Sequence, residues 1–394
     1  MKHMLFLGLM AAGLLAAKAD VVDPDSTGFK FTDVKLVPTT PVKDQNKSGT
    51  CWCFAGTSFF EDELLRKTGK TFDLSEMYTV RHCYLDKADM HVRMYGQSNF
   101  AAGGGLTDVG YVWTTYGVVP EEAYTGLQYG EKKHDHYELQ AILDGYMKGV
   151  VGSKKKSTAW KKGYQGIIDA YLGEEPTTFT YDGKTYTPAS FAASLPINMD
   201  DYIAVTSFTH HPFYKPFVLE VPDNWMYSQY QNVPLDELQA IVDNALDKGY
   251  SVMWAADVSE GGFKWYNGYA VMPVEKDGGS LTGTELDRWV KLSDKDRENE
   301  RFDIKGPVEE MVITQELRQQ MFDNQETTDD HGMVIIGTAV DQDGNHYYKV
   351  KNSWDTNQLY GGYFYVSVPY FLAKTMGIMV NKEALPKEIS KKFK

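Results

Sequence analysis

Cysteine is scarce in this sequence, with three among 394 residues. One disulfide is the most they allow, so the chain is no disulfide scaffold and needs a core of its own. Paired Cys-x-x-Cys motifs are lacking too. Cys51 and Cys53 sit together in "SGTCWCFAG", but Cys83 is alone, and a structural zinc site needs four ligands. No metal is expected. Positive charge is in short supply: 40 Lys and Arg against 54 Asp and Glu give a net −14 at pH 7. Such a chain is a poor partner for phosphate backbones or anionic bilayers, so nucleic acid is not expected. The basic run Lys154, Lys155, Lys156, Lys161, Lys162 is not sustained and reads as a solvated helix face. Repeats of solenoid or propeller period are missing.

Long apolar runs are limited to the first residues, "MKHMLFLGLMAAGLLAAKAD". Lys2 and His3 precede an apolar stretch from Met4 to Ala17, too short to span a bilayer comfortably, and Ala17-Lys18-Ala19 fits a cleavage site. Residues 1–19 therefore read as a signal peptide, with 20–394 as the mature chain, periplasmic or secreted. No cysteine follows the apolar run, so no lipid or membrane anchor is expected.

What is abundant is core material: 42% hydrophobic residues, with 26 Tyr, 19 Phe and 8 Trp. Three regions separate by pattern. From about 30 to 125, helix signals begin at Thr50 or Cys51 and stop at Gly69, resume after a Ser75 N-cap, and return at Asp108 to Tyr116 behind Gly103-Gly104-Gly105. From 126 to 230 the chain reads as a mostly helical insertion, with a hairpin around Asp182-Gly183. The third region opens on a helix at Leu235 to Lys248. Strand-like runs follow at Val252 to Val258, Met333 to Val340, His346 to Lys351 and Tyr363 to Val368, interrupted by a charged loop at 277–305. Helices early and strands late predict an α+β fold in two lobes.

Cys51 stands apart from the other thiols. It would open a helix, where unpaired N–H groups and the macrodipole favour a thiolate. Six residues earlier, Gln45 can offer an amide N–H to an oxyanion beside the Cys51 backbone N–H. A base is still required. His331 precedes an apolar strand in "TDDHGMVIIGTAV", and Asn352-Ser353-Trp354 lies at the end of a later strand. Asn352 can accept the ring N–H of a histidine, and Trp354 can shield that bond. His210 and His211 have no such partners. Cys53 and Cys83 are compatible with a disulfide, and the plainer reading of both is buried apolar thiols.

At these residues the chain resembles the papain-like cysteine peptidases: Gln45, Cys51-Trp52, His331, Asn352-Ser353-Trp354 and Gly362-Tyr363 match the order of the oxyanion glutamine, nucleophile, base and orienting asparagine. His331 follows Cys51 by 280 residues, against about 130 to 150 in the short papain-type enzymes. That layout, "GGLTDVGYVWTTYGVVPEEAY" and "NVPLDELQAIVDNALDKGYSVMWAADV" resemble the bleomycin hydrolase and bacterial aminopeptidase C branch. The resemblance implies peptide substrates, no cofactor, a possible hexamer, and substrate binding along Gly104, Gly105 and Trp354. Three departures stand out. Ser48 replaces the bridging cysteine of papain, Asp355 stands where glycine is usual, and "NKEALPKEISKKFK" stops where that branch's C-terminal arm would begin. An aminopeptidase is the expected activity. An endopeptidase or dipeptide-releasing enzyme, and a silent papain-like binding protein, are the alternatives.

Overall fold

The computed structural model describes residues 27–275 and 282–393. The signal peptide expected at 1–19 lies outside them. After strand β1 (Thr32–Leu36) come helices α1 (Cys51–Thr68), α2 (Glu76–Arg93) and α3 (Asp108–Thr115), close to the expected bounds. Gly69 ends α1 at φ 69°, its N–H donated to Leu65 O. Ser75 caps α2 by accepting from the Tyr78 N–H, satisfying one of the orphan donors of the first turn.

Segment 126–230 holds α4 (Tyr137–Gly152), α5 (Ala159–Leu172), the hairpin β2 (Phe179–Tyr181) and β3 (Lys184–Tyr186), and α6 (Pro188–Ser194). Asp182 at φ 49° and Gly183 at φ 74° form the expected hairpin turn, both positive as a primed turn requires. The last third holds one short 3-10 turn, Met199–Asp201, and no α-helix. It supplies β4 (Tyr202–Thr206), β5 (Pro216–Val218) and β6 (Gln229–Asn232), which join the main sheet. Strands of three to five residues broken by Pro and His leave no readable alternation.

Next come α7 (Leu235–Asp247), β7 (Val252–Ala256), β8 (Phe263–Lys264) and β9 (Tyr269–Ala270). The expected charged loop at 277–305 is corrected where it is described: it contains α8 (Gly283–Trp289) and α9 (Asp294–Arg301). Ser293 caps α9, with Asp294 and Asp296 in its first turn and Arg301 in its last, a charge order that suits the helix dipole. With no buried residue in either helix, there was no apolar stripe to reveal them. α10 (Gln315–Asp323), β10 (His331–Val340), β11 (His346–Lys351), β12 (Tyr363–Ser367), α11 (Val368–Lys374), β13 (Thr375–Asn381) and α12 (Lys387–Ser390) complete the chain.

One sheet runs β5-β6-β4-β13-β7-β10-β11-β12-β9-β8, with β1 also paired to β10. Side chains alternate across it. On β10, Val334 and Ile336 face a core shared with α1 to α6, whereas Met333 and Ile335 face a second core shared with α7 and α11. These two cores are the two lobes. Phe59, Phe60 and Leu64 of α1 are fully buried in the first, each worth about 1.5–3 kcal/mol of apolar transfer. Cys53 and Cys83 are buried there as free thiols, which settles the disulfide question for the plainer reading. Among the described residues no helix is long and apolar enough to cross a membrane.

Candidate active site

Cys51 is the first residue of α1, and His331 the first of β10. Asn352 follows directly on β11, which pairs antiparallel to β10 with Val334 opposite Lys351. That register sets the start of one strand beside the end of the other, and so His331 beside Asn352. Gly332 brings the helix in. A Cβ there would stand 3.1 Å from Trp52 Cα and 3.3 Å from Cys51 O, so only glycine admits this approach without displacement. Cys51, Gly104, Gly105, Asp223, Asp329 and His331 are among the residues that line the resulting cleft.

His331 Nε2 lies 2.7 Å from Asn352 Oδ1, which assigns the ring proton to Nε2 and leaves Nδ1 as the basic nitrogen. Asn352 Oδ1 also accepts the Ser353 N–H at 2.8 Å, while its amide nitrogen is buried without a partner. The thiol of Cys51 reaches Asp330 O at 3.9 Å. Gln45 is fastened to the same turn: its N–H donates to Ser353 O at 2.9 Å, and its Oε1 accepts the Ser353 hydroxyl at 2.7 Å. With that oxygen engaged, the amide N–H₂ is the end free to donate. Gln45 itself is buried. Ser353 thus ties the glutamine to the asparagine, a role its place in the motif did not reveal.

Electrostatics in the cleft discourage any single charge. Burial pushes the Cys51 thiol up to about 12; the Gly332 and Trp52 N–H groups oppose the rise, and Asp329 and Asp223 add to it. Burial also pulls the His331 imidazole down to about 4, against the bond to Asn352. A thiolate and an imidazolium formed together would each offset the other's desolvation.

Gly104 and Gly105 line the cleft as expected. A Cβ on Gly104 would fall 2.6 Å from Asp108 Oδ2 and 2.8 Å from the Trp52 ring, so the glycine lets this ledge sit flat on α1 and α3. Trp52 fixes the ledge through Nε1 to Ala102 O at 2.9 Å. Trp354, expected to contact substrate, is not among the cavity-lining residues. Its ring packs 4.4 Å from the His331 ring and 5.5 Å from that of Trp265, the position of a shield. Asp355 holds φ 71°, which explains why glycine is usual there, and its Oδ1 steadies the turn by accepting the Thr356 N–H at 2.6 Å.

Two acids escaped notice in the sequence. Asp329 and Asp223 line the cleft from different loops. Burial pushes the Asp329 carboxyl up to about 7, with repulsion from Asp223, Asp330 and Asp108 adding to it, and Asp329 has no hydrogen-bond partner among the described residues. Asp223 accepts from Asn99 Nδ2 at 2.9 Å. No Lys or Arg lines the cavity; the nearby Lys87 is turned to the carbonyls of Ala101 and Gly103. The "DD" before His331 was a visible signal for Asp329, whereas Asp223 had none.

Cys51 and His331 line one cleft, with His331 held by Asn352 and Gln45 tied to the same turn through Ser353, an arrangement that suits acyl transfer. The comparisons agree. The papain family cysteine protease profile matches residues 29–188, and that of the peptidase C1-like family matches 306–394, so each half of the site falls in one of them. Aminopeptidase C of Lactobacillus delbrueckii subsp. lactis is 23% identical, over 91% of this chain and 83% of the relative. Aminopeptidase C of Listeria innocua is 24% identical, over 98% and 89%. The crystal structure of PepW from Lactobacillus rhamnosis HN001 superposes with a TM-score of 0.68 at 20% identity, over 92% of this chain and 84% of that one, which shows a shared fold. The chain is a cysteine peptidase of papain-like fold, similar over most of its length to the aminopeptidases C.

Proposed function

We propose that the protein is an aminopeptidase that removes residues from the free N-terminus of small peptides. The observation that carries this is the pair Asp223 and Asp329 in a cleft whose lining holds no Lys or Arg. A substrate bound at Cys51 through its first residue would set its α-ammonium on this side, where the carboxylates would accept it and an N-acetylated chain would leave Asp329 desolvated and without a partner.

The chemistry follows from the dyad. Cys51 Sγ passes its proton to His331 Nδ1 and attacks the scissile carbonyl. The oxyanion takes hydrogen bonds from the Gln45 amide and the Cys51 backbone N–H. The C–N bond breaks as His331 returns the proton to the leaving amine, and His331 then activates water to hydrolyse the thioester. Asn352 holds the imidazole, and Trp354 covers their bond. Export by the leader at 1–19 and assembly into a hexamer are further parts of the proposal, checked by N-terminal sequencing of the mature protein and by light scattering.

The test is hydrolysis of an aminoacyl-coumarin amide with a free amine against its N-acetylated twin, alongside a longer N-acetylated peptide. Turnover of the free amine alone, abolished by Cys51→Ala, is expected. Equal turnover of the blocked substrates would mean endopeptidase action, and no turnover with no labelling of Cys51 by a thiol-directed epoxide would mean a silent binding protein.

A further inference from the structure

Outside the cleft, three side chains turn donor atoms toward one point. His210 Nε2 lies 3.1 Å from Glu220 Oε2, and His211 Nε2 lies 2.8 Å from Glu220 Oε1. One donor atom from each residue falls within 4.8 Å of the others. Both rings are held from behind. His211 stacks on Phe217 with centroids 4.3 Å apart, and His210 lies parallel to Phe322 at 5.6 Å. His210 Nδ1 meets the Gln319 side-chain amide, 3.0 Å from Nε2 and 3.4 Å from Oε1. Gln319 is itself fixed by the Thr209 N–H at 2.6 Å and by Asp323 at 2.8 Å. An imidazole with one nitrogen against an outer hydrogen-bonding group and the other facing a carboxylate is oriented as metal-binding histidines are.

Stability explains little of this arrangement. Glu220 is half exposed and both histidines are partly exposed, and ion pairs or hydrogen bonds in that setting contribute about 0–1 kcal/mol. Yet two adjacent histidines each take a different oxygen of one carboxylate. We propose that His210, His211 and Glu220 bind a divalent transition-metal ion of the zinc class. Two imidazoles and a carboxylate favour zinc over calcium or magnesium, which prefer all-oxygen sites. Bonds of about 2.0–2.1 Å to a tetrahedral ion place donors about 3.4 Å apart; the two histidine–Glu220 separations are a few tenths of an ångström short of that, and the two imidazole donors lie within 4.8 Å of each other. Water would complete the coordination. Glu220 stands between Leu219 and Val221, which line the catalytic cleft. The ion therefore ties one cleft wall to the turn after β4.

The experiment is calorimetric titration of the full chain with zinc chloride in a Cys51→Ala background, which removes the cleft thiol as a competing ligand. One ion per chain is expected, at least tenfold weaker after His211→Ala or Glu220→Gln, with no heat from magnesium chloride. Unchanged melting temperatures in metal-free buffer show that the variants fold. Absence of zinc binding, or binding that survives both substitutions, overturns the site. Hydrogen exchange of amides 219–224 is expected to slow with zinc in the parent and not in Glu220→Gln; no slowing in the parent overturns the tie to the cleft wall.

Discussion

Gly332 lies against the backbone of Trp52, so close that a Cβ on the glycine would stand 3.1 Å from the Trp52 Cα. Neighbouring backbone at that distance has to move. Gly332→Ala is expected to push the start of α1 off β10 and separate Cys51 from His331. The shift required is a few tenths of an ångström, short of the roughly 1 Å that costs about 10²-fold in rate, so kcat should fall by less than that factor. Steady-state kinetics beside a thermal melt check it: a folded variant with parental kcat would show that the helix has room to spare.

Gln45→Ala should lower kcat by roughly 10²–10³ with little change in KM, the scale for one oxyanion donor. Ser353→Ala leaves the glutamine in place but frees its oxygen, so its loss should be smaller and in the same parameter. If Ser353→Ala matches the parent, the 2.7 Å bond to Gln45 Oε1 does not orient the amide.

On the proposed role of Asp329, KM should depend on pH. Its carboxyl is raised to about 7, and the ionised form is the one that accepts an ammonium. KM for a free-amine substrate should therefore fall as pH rises through about 7. It should climb again once the substrate's amine, near about 8, loses its proton. Asp329→Asn should raise KM above pH 7 and remove the lower limb. A lower limb that survives the substitution would assign it to another group.

Lys43 is the counter-charge of a buried acidic cluster. Its Nζ lies 2.9 Å from Glu61, 2.8 Å from Glu76 and 2.8 Å from Asp73. Lys43→Met leaves Glu61 and Glu76 buried without it, a loss of about 3–5 kcal/mol, readable by denaturant melts. Burial pushes Glu76 up to about 7 and Glu121 up to about 8. The unfolded chain gives up these protons near about pH 4.3, before the folded chain does, so these groups reduce stability as pH climbs from there to about 7 and 8, and no further above. The fall between pH 6 and 9 should be steeper in Lys43→Met.

How much of this was legible depended on whether a residue's role is local. Cys51 announced itself by a helix start, and α1, α2 and α7 by their periodicity and their Ser75 and glycine punctuation. His331 and Asn352 could be paired because strand ends carry them. Asp223 could not be found, because only the fold brings it to the Gly103–Gly105 ledge. Glu220 was invisible as a partner of His210 and His211 for the same reason: it lies nine positions beyond His211, on the far side of β5, and only the fold brings them together. β13 was missed as well: "TMGIMVN" is buried on both faces, and a short run of that kind has no alternation to separate it from a buried helix.

That unread strand closes the sheet. β13 lies between β4 and β7, so the sheet has a gap at its middle until residues 375–381 arrive. A chain emerging from the ribosome carries Gln45, Cys51, His331 and Asn352 before it has the strand that joins the halves of its sheet. Contacts across such a span form late and slowly. The two halves of the sheet, and the cores packed on them, are therefore joined only when residues 375–381 take their place between β4 and β7.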